Sequence, residues 1–273
     1  MMNANKQLWE KGDFTKLADC MRQSGAELVD RIGVAPGERV LDLGCGDGTT
    51  ALPAAELGAV VTGVDIAANL VAAGTKRAEA AGLSNIRFEE GDASDLAGLD
   101  DDSFDRVVTI FGAMFAPRPD DVAREMVRVT RPGGTIVMGN WIPGDPTLVA
   151  QILKTSAAYT PPPPEGFVSP MLWGNEEKVR ERFVAAGIPE ENVTCERDLF
   201  TFRRDCPPGD FLDLFLTYYG PTMNAVEAAD RDGKGDALRE ELGRLFDSQN
   251  ASSDPGRTEI PAAFLRVTVK KPG

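Results

Sequence analysis

Residues 40–50 read Val-Leu-Asp-Leu-Gly-Cys-Gly-Asp-Gly-Thr-Thr, an apolar strand that runs straight into a loop with glycine at every second position, Gly44, Gly46 and Gly48. A helical pattern opens near Thr49. Glycine admits positive φ and lets a ligand lie against the main chain, and the free N–H groups of a helix start favour a negative group. The stretch therefore predicts a loop for a nucleotide-like ligand at the carboxyl end of a first strand.

Downstream of it, strand and helix patterns alternate. Strands are predicted at 39–43, 60–65, 86–90, 104–111 and 135–140, with helices at 49–57 and 69–81. A further helix carries Val122, Met126 and Val129 on one face and is expected to stop at Pro132-Gly133-Gly134. Alternating units of this length imply an α/β fold with a parallel, doubly wound, Rossmann-like sheet and helices on both faces. After Trp141 the rhythm breaks. Residues 142–174, with prolines at 161–164, form a first insertion, followed by a helix at 176–186 and a strand at 193–202. A second insertion, 207–257, is helical over 208–247, and a final strand is expected at 262–270.

Upstream, residues 3–33 read as helix, with Leu8, Trp9, Phe14, Leu17, Met21, Leu28, Val29 and Ile32 at roughly helical spacing and Gly12 and Gly25 as breaks. The expected organisation is a helical segment 1–35, acting as a lid or packing on the sheet, and a domain 36–273 whose two insertions fold as a cap.

Composition narrows the function. With Asp+Glu 43 against Lys+Arg 29 the formal net charge is -14, which repels a phosphate backbone and argues against nucleic-acid or anionic-membrane partners. No run of 18 apolar residues exists and the first residues lack a signal-peptide core, so a cytoplasmic protein is expected, monomeric or homodimeric. The cysteines, Cys20, Cys45, Cys195 and Cys206, have no CxxC spacing and read as free thiols. Histidine is absent, which removes the commonest general base and metal ligand; zinc and Ser-His-Asp chemistry are excluded and no metal is expected.

Acidic residues at strand ends identify the ligand. Asp65 ends the second strand, where one carboxylate can accept from both hydroxyls of a ribose. The spacing Gly44-x-Gly46-x-Gly48 is not the G-x-G-x-x-G of dinucleotide sites, and Asp42 lies inside the strand, where a buried carboxylate needs a polar partner. Gly91-Asp92-Ala93 ends the third strand; there the Asp92 side chain can accept from an adenine amino group and the Ala93 N–H can meet a ring nitrogen.

These pieces, with Gly-Val-Asp-Ile at 63–66, Phe-Asp-Arg-Val-Val at 104–108 and Arg-Pro-Gly-Gly at 131–134, resemble the class I S-adenosylmethionine-dependent methyltransferases, particularly the small-molecule branch of ubiquinone and menaquinone methyltransferase-like proteins. The specific part of the likeness covers about residues 36–140. It implies a seven-stranded sheet with the last strand antiparallel and S-adenosyl-L-methionine as cofactor. It places Gly44 and Gly46 along the methionine part, Asp65 at the ribose, Ile66 and Leu70 on the adenine face, Asp92 and Ala93 at the adenine edge, and Phe111 with Gly112 beside the methionine moiety; Asp42 and Cys45 are expected among the cofactor-binding residues as well.

Methyl transfer from a sulfonium needs an in-line nucleophile, and the cofactor carries its own leaving group, so a protein base is optional. Asp13, Tyr218 and Tyr219 are the residues first considered for that role. Phe14, Trp141, Tyr159, Trp173, Phe215 and Tyr219 are expected to line a pocket for a small aromatic or lipid-like acceptor, or else to form the insertions' own core. An NAD-dependent oxidoreductase, disfavoured by the glycine spacing, and a non-catalytic cofactor-binding protein are the competing readings.

Overall fold

The computed structural model describes residues 4–163 and 165–273; the start of the expected first helix at residue 3 and the last proline of the 161–164 run lie outside them. Strand β1 (Arg39–Leu43) is buried beyond its first residue, as a central parallel strand with no polar face must be. Around it run β2 (Val60–Asp65), β3 (Ile86–Glu90), β4 (Phe104–Ile110), β5 (Thr130–Trp141), β6 (Val193–Arg204) and β7 (Thr258–Lys270), in the spatial order β3-β2-β1-β4-β5-β7-β6. The pairs from β3 through β5 are parallel, and β7 is antiparallel to both β5 and β6. This is the seven-stranded sheet with its last strand reversed. The chain order turns back between β1 and β4, the place in such sheets where ligands bind beyond the strand ends.

The helices in chain order are α1 (Ala4–Glu10), α2 (Thr15–Ala18), α3 (Arg22–Ile32), α4 (Ala51–Glu56), α5 (Ala68–Ala80), α6 (Pro119–Val129), α7 (Leu148–Ala157), α8 (Glu176–Ala185), α9 (Pro208–Tyr218), α10 (Gly220–Arg231) and α11 (Gly235–Gln249). Local chemistry sets their ends. In α6, Pro119 occupies the first turn beside Asp120 and Asp121, Arg128 sits in the last, and Val122, Met126 and Val129 are buried on one stripe. The Asn175 side chain accepts from the Lys178 N–H at the start of α8, and Gly33 ends α3 in the left-handed region.

Two local expectations are corrected. Gly25 does not break the N-terminal helix. It lies inside α3 because that helix packs tightly on the loop after β1: a Cβ at Gly25 would stand 2.6 Å from the Thr49 methyl and 2.7 Å from its carbonyl oxygen. Pro132-Gly133-Gly134 does not stop α6 either. The helix ends at Val129, and Thr130 already pairs with Phe104, with a register shift before Arg106 pairs with Thr135. Sheet pairing, together with the Gly133 N–H donating to the carbonyls of Lys271 and Pro272, overrides the local turn signal.

One apolar cluster joins Val40, Val61 and Val108 of the sheet to Val29 of α3 and Ala51, Ala54 and Ala55 of α4. The larger cluster runs from Val122 and Met126 of α6 through Ile136 and Met138 of β5 and Phe200 and Phe264 of the antiparallel strands to Phe211, Phe215 and Phe246 of the helical insertion. The four cysteines are unpaired, and no described helix is long and apolar enough to cross a membrane.

Candidate functional site

At the carboxyl ends of β1, β2, β3 and β4 the chain encloses a cavity lined by Gly44, Cys45, Gly46, Asp65, Ile66, Leu70, Asp92, Ala93, Phe111 and Gly112, together with Trp9, Phe14, Met21, Asp47, Thr49 and Thr50. The first ten are residues the sequence assigned to one ligand. Asp42, the eleventh, does not face the cavity; it is buried in β1, two positions before Gly44.

The loop geometry explains the glycines. Gly44, Gly46 and Gly48 all have positive φ, at 68°, 56° and 90°. Gly44 also touches Gly112 backbone to backbone: a Cβ on Gly112 would lie 2.3 Å from the Gly44 carbonyl oxygen. Gly46, by contrast, has nothing within 4 Å of where its Cβ would be, so ligand atoms can approach the main chain there. Next to Gly112, Phe111 is itself in the left-handed region with φ 61°, a costly position for an aromatic residue. Its ring stacks on Trp141 with centroids 3.6 Å apart and planes 8° from parallel.

The acids are held by backbone donors. Asp65 accepts from the Gly46 N–H at 2.8 Å and the Ala67 N–H at 2.9 Å, so it ties the glycine loop to the end of β2. Burial raises its pKa, opposed by those N–H groups and that of Ile66. Each oxygen has a second lone pair and can still receive a ribose hydroxyl. Asp92 accepts from the N–H and hydroxyl of Ser94, a turn arrangement that fixes its carboxylate at the cavity rim. Asp47, absent from the sequence-based assignment although it stands between two loop glycines, is buried and held by the Arg22 guanidinium fork, Nη1 at 2.8 Å and Nη2 at 2.5 Å.

Asp42 is the electrostatic outlier. Burial, then the neighbouring Asp65 carboxylate, push its carboxyl up to about 7 against the opposing Ala51 N–H, and Oδ2 has no protein partner. A carboxyl that ordinarily titrates near 3.8 thus keeps its proton longer in the folded chain than in the unfolded one. Stability from that proton is fully present below about pH 4 and is lost as pH rises to about 7. Asp42→Asn is therefore expected to flatten the decline in stability across this window. Urea unfolding at stepped pH reads it; parallel wild-type and variant curves would contradict the assignment.

A second cavity adjoins the first and shares Trp9, Phe14, Met21 and Phe111 with it. Its other walls are Leu17, Phe115, Trp141, Val149, Phe202, Phe215 and Tyr219. Of the aromatic residues expected around an acceptor, Phe14, Trp141, Phe215 and Tyr219 are brought together here. Tyr159 and Trp173 are not, and the expectation for them is corrected. The Tyr159 hydroxyl donates to Glu241 at the surface, and Trp173 is buried against Phe183 with the Arg182 guanidinium 4.5 Å above its ring. The three residues first considered as bases divide likewise. Asp13 accepts from the Thr15 N–H and hydroxyl at the start of α2, and Tyr218 lines neither cavity. Tyr219 does line the second cavity, but burial raises its phenol further above the usual value. Trp9, Phe115 and Phe202 were missed as wall residues, since their signal is an ordinary core aromatic at each position.

Comparison with known proteins bears on the family and the fold. Residues 41–138 match the family described as "Methyltransferase domain". An uncharacterised protein of Mycobacterium tuberculosis is 34% identical over 228 residues, 82% of this chain and 80% of its own length. A demethylmenaquinone methyltransferase of Renibacterium salmoninarum is 37% identical over 114 residues, 42% of this chain and 46% of its own. Among solved structures, a Haemonchus contortus phosphoethanolamine N-methyltransferase crystallised with phosphomonomethylethanolamine and S-adenosylhomocysteine superposes with TM-score 0.62 at 16% identity, over all of this chain and 61% of that one.

Proposed function

The chain belongs to the class I S-adenosylmethionine-dependent methyltransferases, and on that premise we propose that it methylates a small aromatic or lipid-like acceptor seated in the second cavity. The observation that carries this reading is the shared wall: Trp9, Phe14, Met21 and Phe111 border both cavities, so a molecule in the apolar one lies next to a molecule in the glycine-lined one. When bound, the cofactor supplies an electrophilic methyl group on a sulfonium. The protein holds it through the open main chain at Gly46, the Asp65 carboxylate at the ribose, Ile66 and Leu70 at the adenine face, and Asp92 and Ala93 at the adenine edge.

What the chain contributes to the reaction is position and exclusion of water. Holding two reactants in line removes much of the entropic part of the barrier. The acceptor walls come from the N-terminal segment (Trp9, Phe14, Leu17), from α7 (Val149), from α9 and the residue after it (Phe215, Tyr219) and from β6 (Phe202), which supports reading residues 1–35 and the insertions as lid and cap. The Renibacterium relative acts, by its name, on a demethylmenaquinone; its match to 42% of this chain supports an aromatic, lipid-like acceptor class. The net charge of -14 supports a partner that is neither nucleic acid nor an anionic membrane, in keeping with a cytoplasmic enzyme.

The test is a panel of aromatic and isoprenoid-like acceptors with S-adenosylmethionine, read as S-adenosylhomocysteine formed. Phe215→Ala should lower acceptor kcat/KM about tenfold or more, about 1.4 kcal/mol, with cofactor affinity within about twofold of wild type. Equal losses for both ligands would place Phe215 outside the acceptor site, and no turnover with any acceptor would leave the chain a binding protein.

A further inference from the structure

We propose that the acceptor enters the second cavity already ionised, as an acidic phenol or enol that loses its proton to water before binding. The inference rests on the reading of that cavity as the acceptor site. Among the described residues, the titratable side chains on the walls of the two cavities are Cys45, Asp47, Asp65, Asp92 and Tyr219. Only Tyr219 borders the acceptor cavity, set among the rings of Trp9, Phe14 and Phe215. It is a neutral phenol; it can donate a hydrogen bond to an anionic oxygen but cannot take a proton from a hydroxyl.

The acids belong to the neighbouring cavity and are engaged there. Asp47 is gripped by Arg22, Asp65 by two backbone N–H groups and Asp92 by Ser94. Cys45 is buried, with its thiol held protonated by burial and by the Asp65 and Asp42 carboxylates. An ordinary phenol, with a pKa of about 10, would be ionised in only about one molecule per thousand at neutral pH. An acceptor ionised by its own acidity avoids that penalty.

Charge balance points the same way. The acceptor's lone pair bonds to the methyl carbon while the carbon–sulfur bond breaks and its electron pair stays on sulfur. An anion and a cation become two neutral molecules, and no proton moves in the step. Apolar walls such as Phe111, Phe115, Trp141 and Phe202 strengthen the attraction between the opposite charges and leave the anion poorly hydrated. A neutral amine would instead leave a cation in a cavity whose described walls carry no carboxylate to receive its proton.

Two measurements test the proposal. The first follows methyl transfer to substituted phenols of graded acidity against pH. The inflection in kcat/KM should move with each phenol's own acid constant and survive in Tyr219→Phe. An inflection at one fixed pH across the series, its loss in Tyr219→Phe, or better turnover of aromatic amines than of acidic phenols overturns it. The second needs no turnover: a chromophoric nitrophenol is titrated into protein holding sinefungin, an unreactive analogue with an ammonium in place of the sulfonium. The ionised form should bind at least about tenfold tighter than the neutral form, seen as its absorbance band. Binding without preference for the anion overturns this inference alone; no binding or turnover of any phenol overturns it together with the acceptor-site reading.

Discussion

Gly112→Ala is expected to abolish measurable S-adenosylmethionine binding and to lower the stability of the protein. The added Cβ would lie 2.3 Å from the Gly44 carbonyl oxygen and 2.7 Å from its Cα, contacts no carbon can make. Neither side can yield. The Gly44 N–H is anchored on the Val64 carbonyl at 2.7 Å, and the Gly112 carbonyl receives the Phe115 N–H at 3.1 Å. The loops after β1 and β4 must therefore separate, which splits the cavity wall where the methionine part of the cofactor would lie. Overpacking of this kind costs about 3 kcal/mol, and an equal loss in binding is a factor of more than about 100 in affinity. Gly46→Ala is the control. Gly46 has a positive φ of 56° where Gly112 has φ -89°, but open space surrounds the new methyl group, so this variant should cost only the left-handed penalty of about 1–2 kcal/mol and leave a folded protein. Calorimetry and thermal unfolding of the two variants decide the matter: a Gly112→Ala protein with wild-type melting and affinity would show that the loops are not in contact.

The difference between these two glycines was invisible in the sequence, and it shows where sequence reading stops. Gly44, Gly46, Asp65 and Asp92 were legible because each lies at the end of a strand whose apolar run, length and flanking turn residues are local signals. Parallel pairing then brings those ends together whatever the rest of the chain does. The second cavity is different. Its walls come from Trp9, Phe111, Val149, Phe202 and Phe215, spread over some two hundred positions, and an aromatic residue facing a cavity has the same local pattern as one facing the core. Trp173 is the converse: counted with the cavity from its neighbourhood in sequence, it packs instead on Phe183 and Arg182. Phe111 carries the clearest structural mark, a left-handed backbone, yet no propensity rule predicts φ of 61° for phenylalanine. The stack on Trp141, the edge contacts with Phe200 and Phe264 and the Phe111 N–H bond to the Gly139 carbonyl hold it in that conformation.

Arg22→Ala should be the second severe variant, although the residue lies outside both cavity walls. Its guanidinium holds both oxygens of Asp47, donates to the Thr49 hydroxyl, and so joins the first turn of α3 to the glycine loop. Asp47 has 2% of its side chain exposed, whereas Arg22 has 24%, so truncating the arginine leaves a nearly dry carboxylate behind. Removing one member of a buried pair costs about 3–5 kcal/mol. The lower end applies, because Arg77 stays 3.7 Å from Asp47 Oδ1 and water can enter where Arg22 was. Arg22→Lys keeps the charge but not the two-pronged geometry and should recover about half the loss. The expected ranking in urea unfolding is wild type, then lysine, then alanine. Cofactor affinity should fall in the same order, since Asp47 and Thr49 line the cavity that Gly44 and Gly46 open. The double variant Arg22→Met with Asp47→Leu separates the two effects. Replacing the pair by apolar groups removes the stranded charge and should restore stability, while the loop, no longer tied to α3 by a directional contact, still binds the cofactor weakly. Full recovery of both properties would mean that the ion pair only fills space; recovery of stability without affinity would identify the link between α3 and the glycine loop as the element that keeps the cofactor cavity in shape.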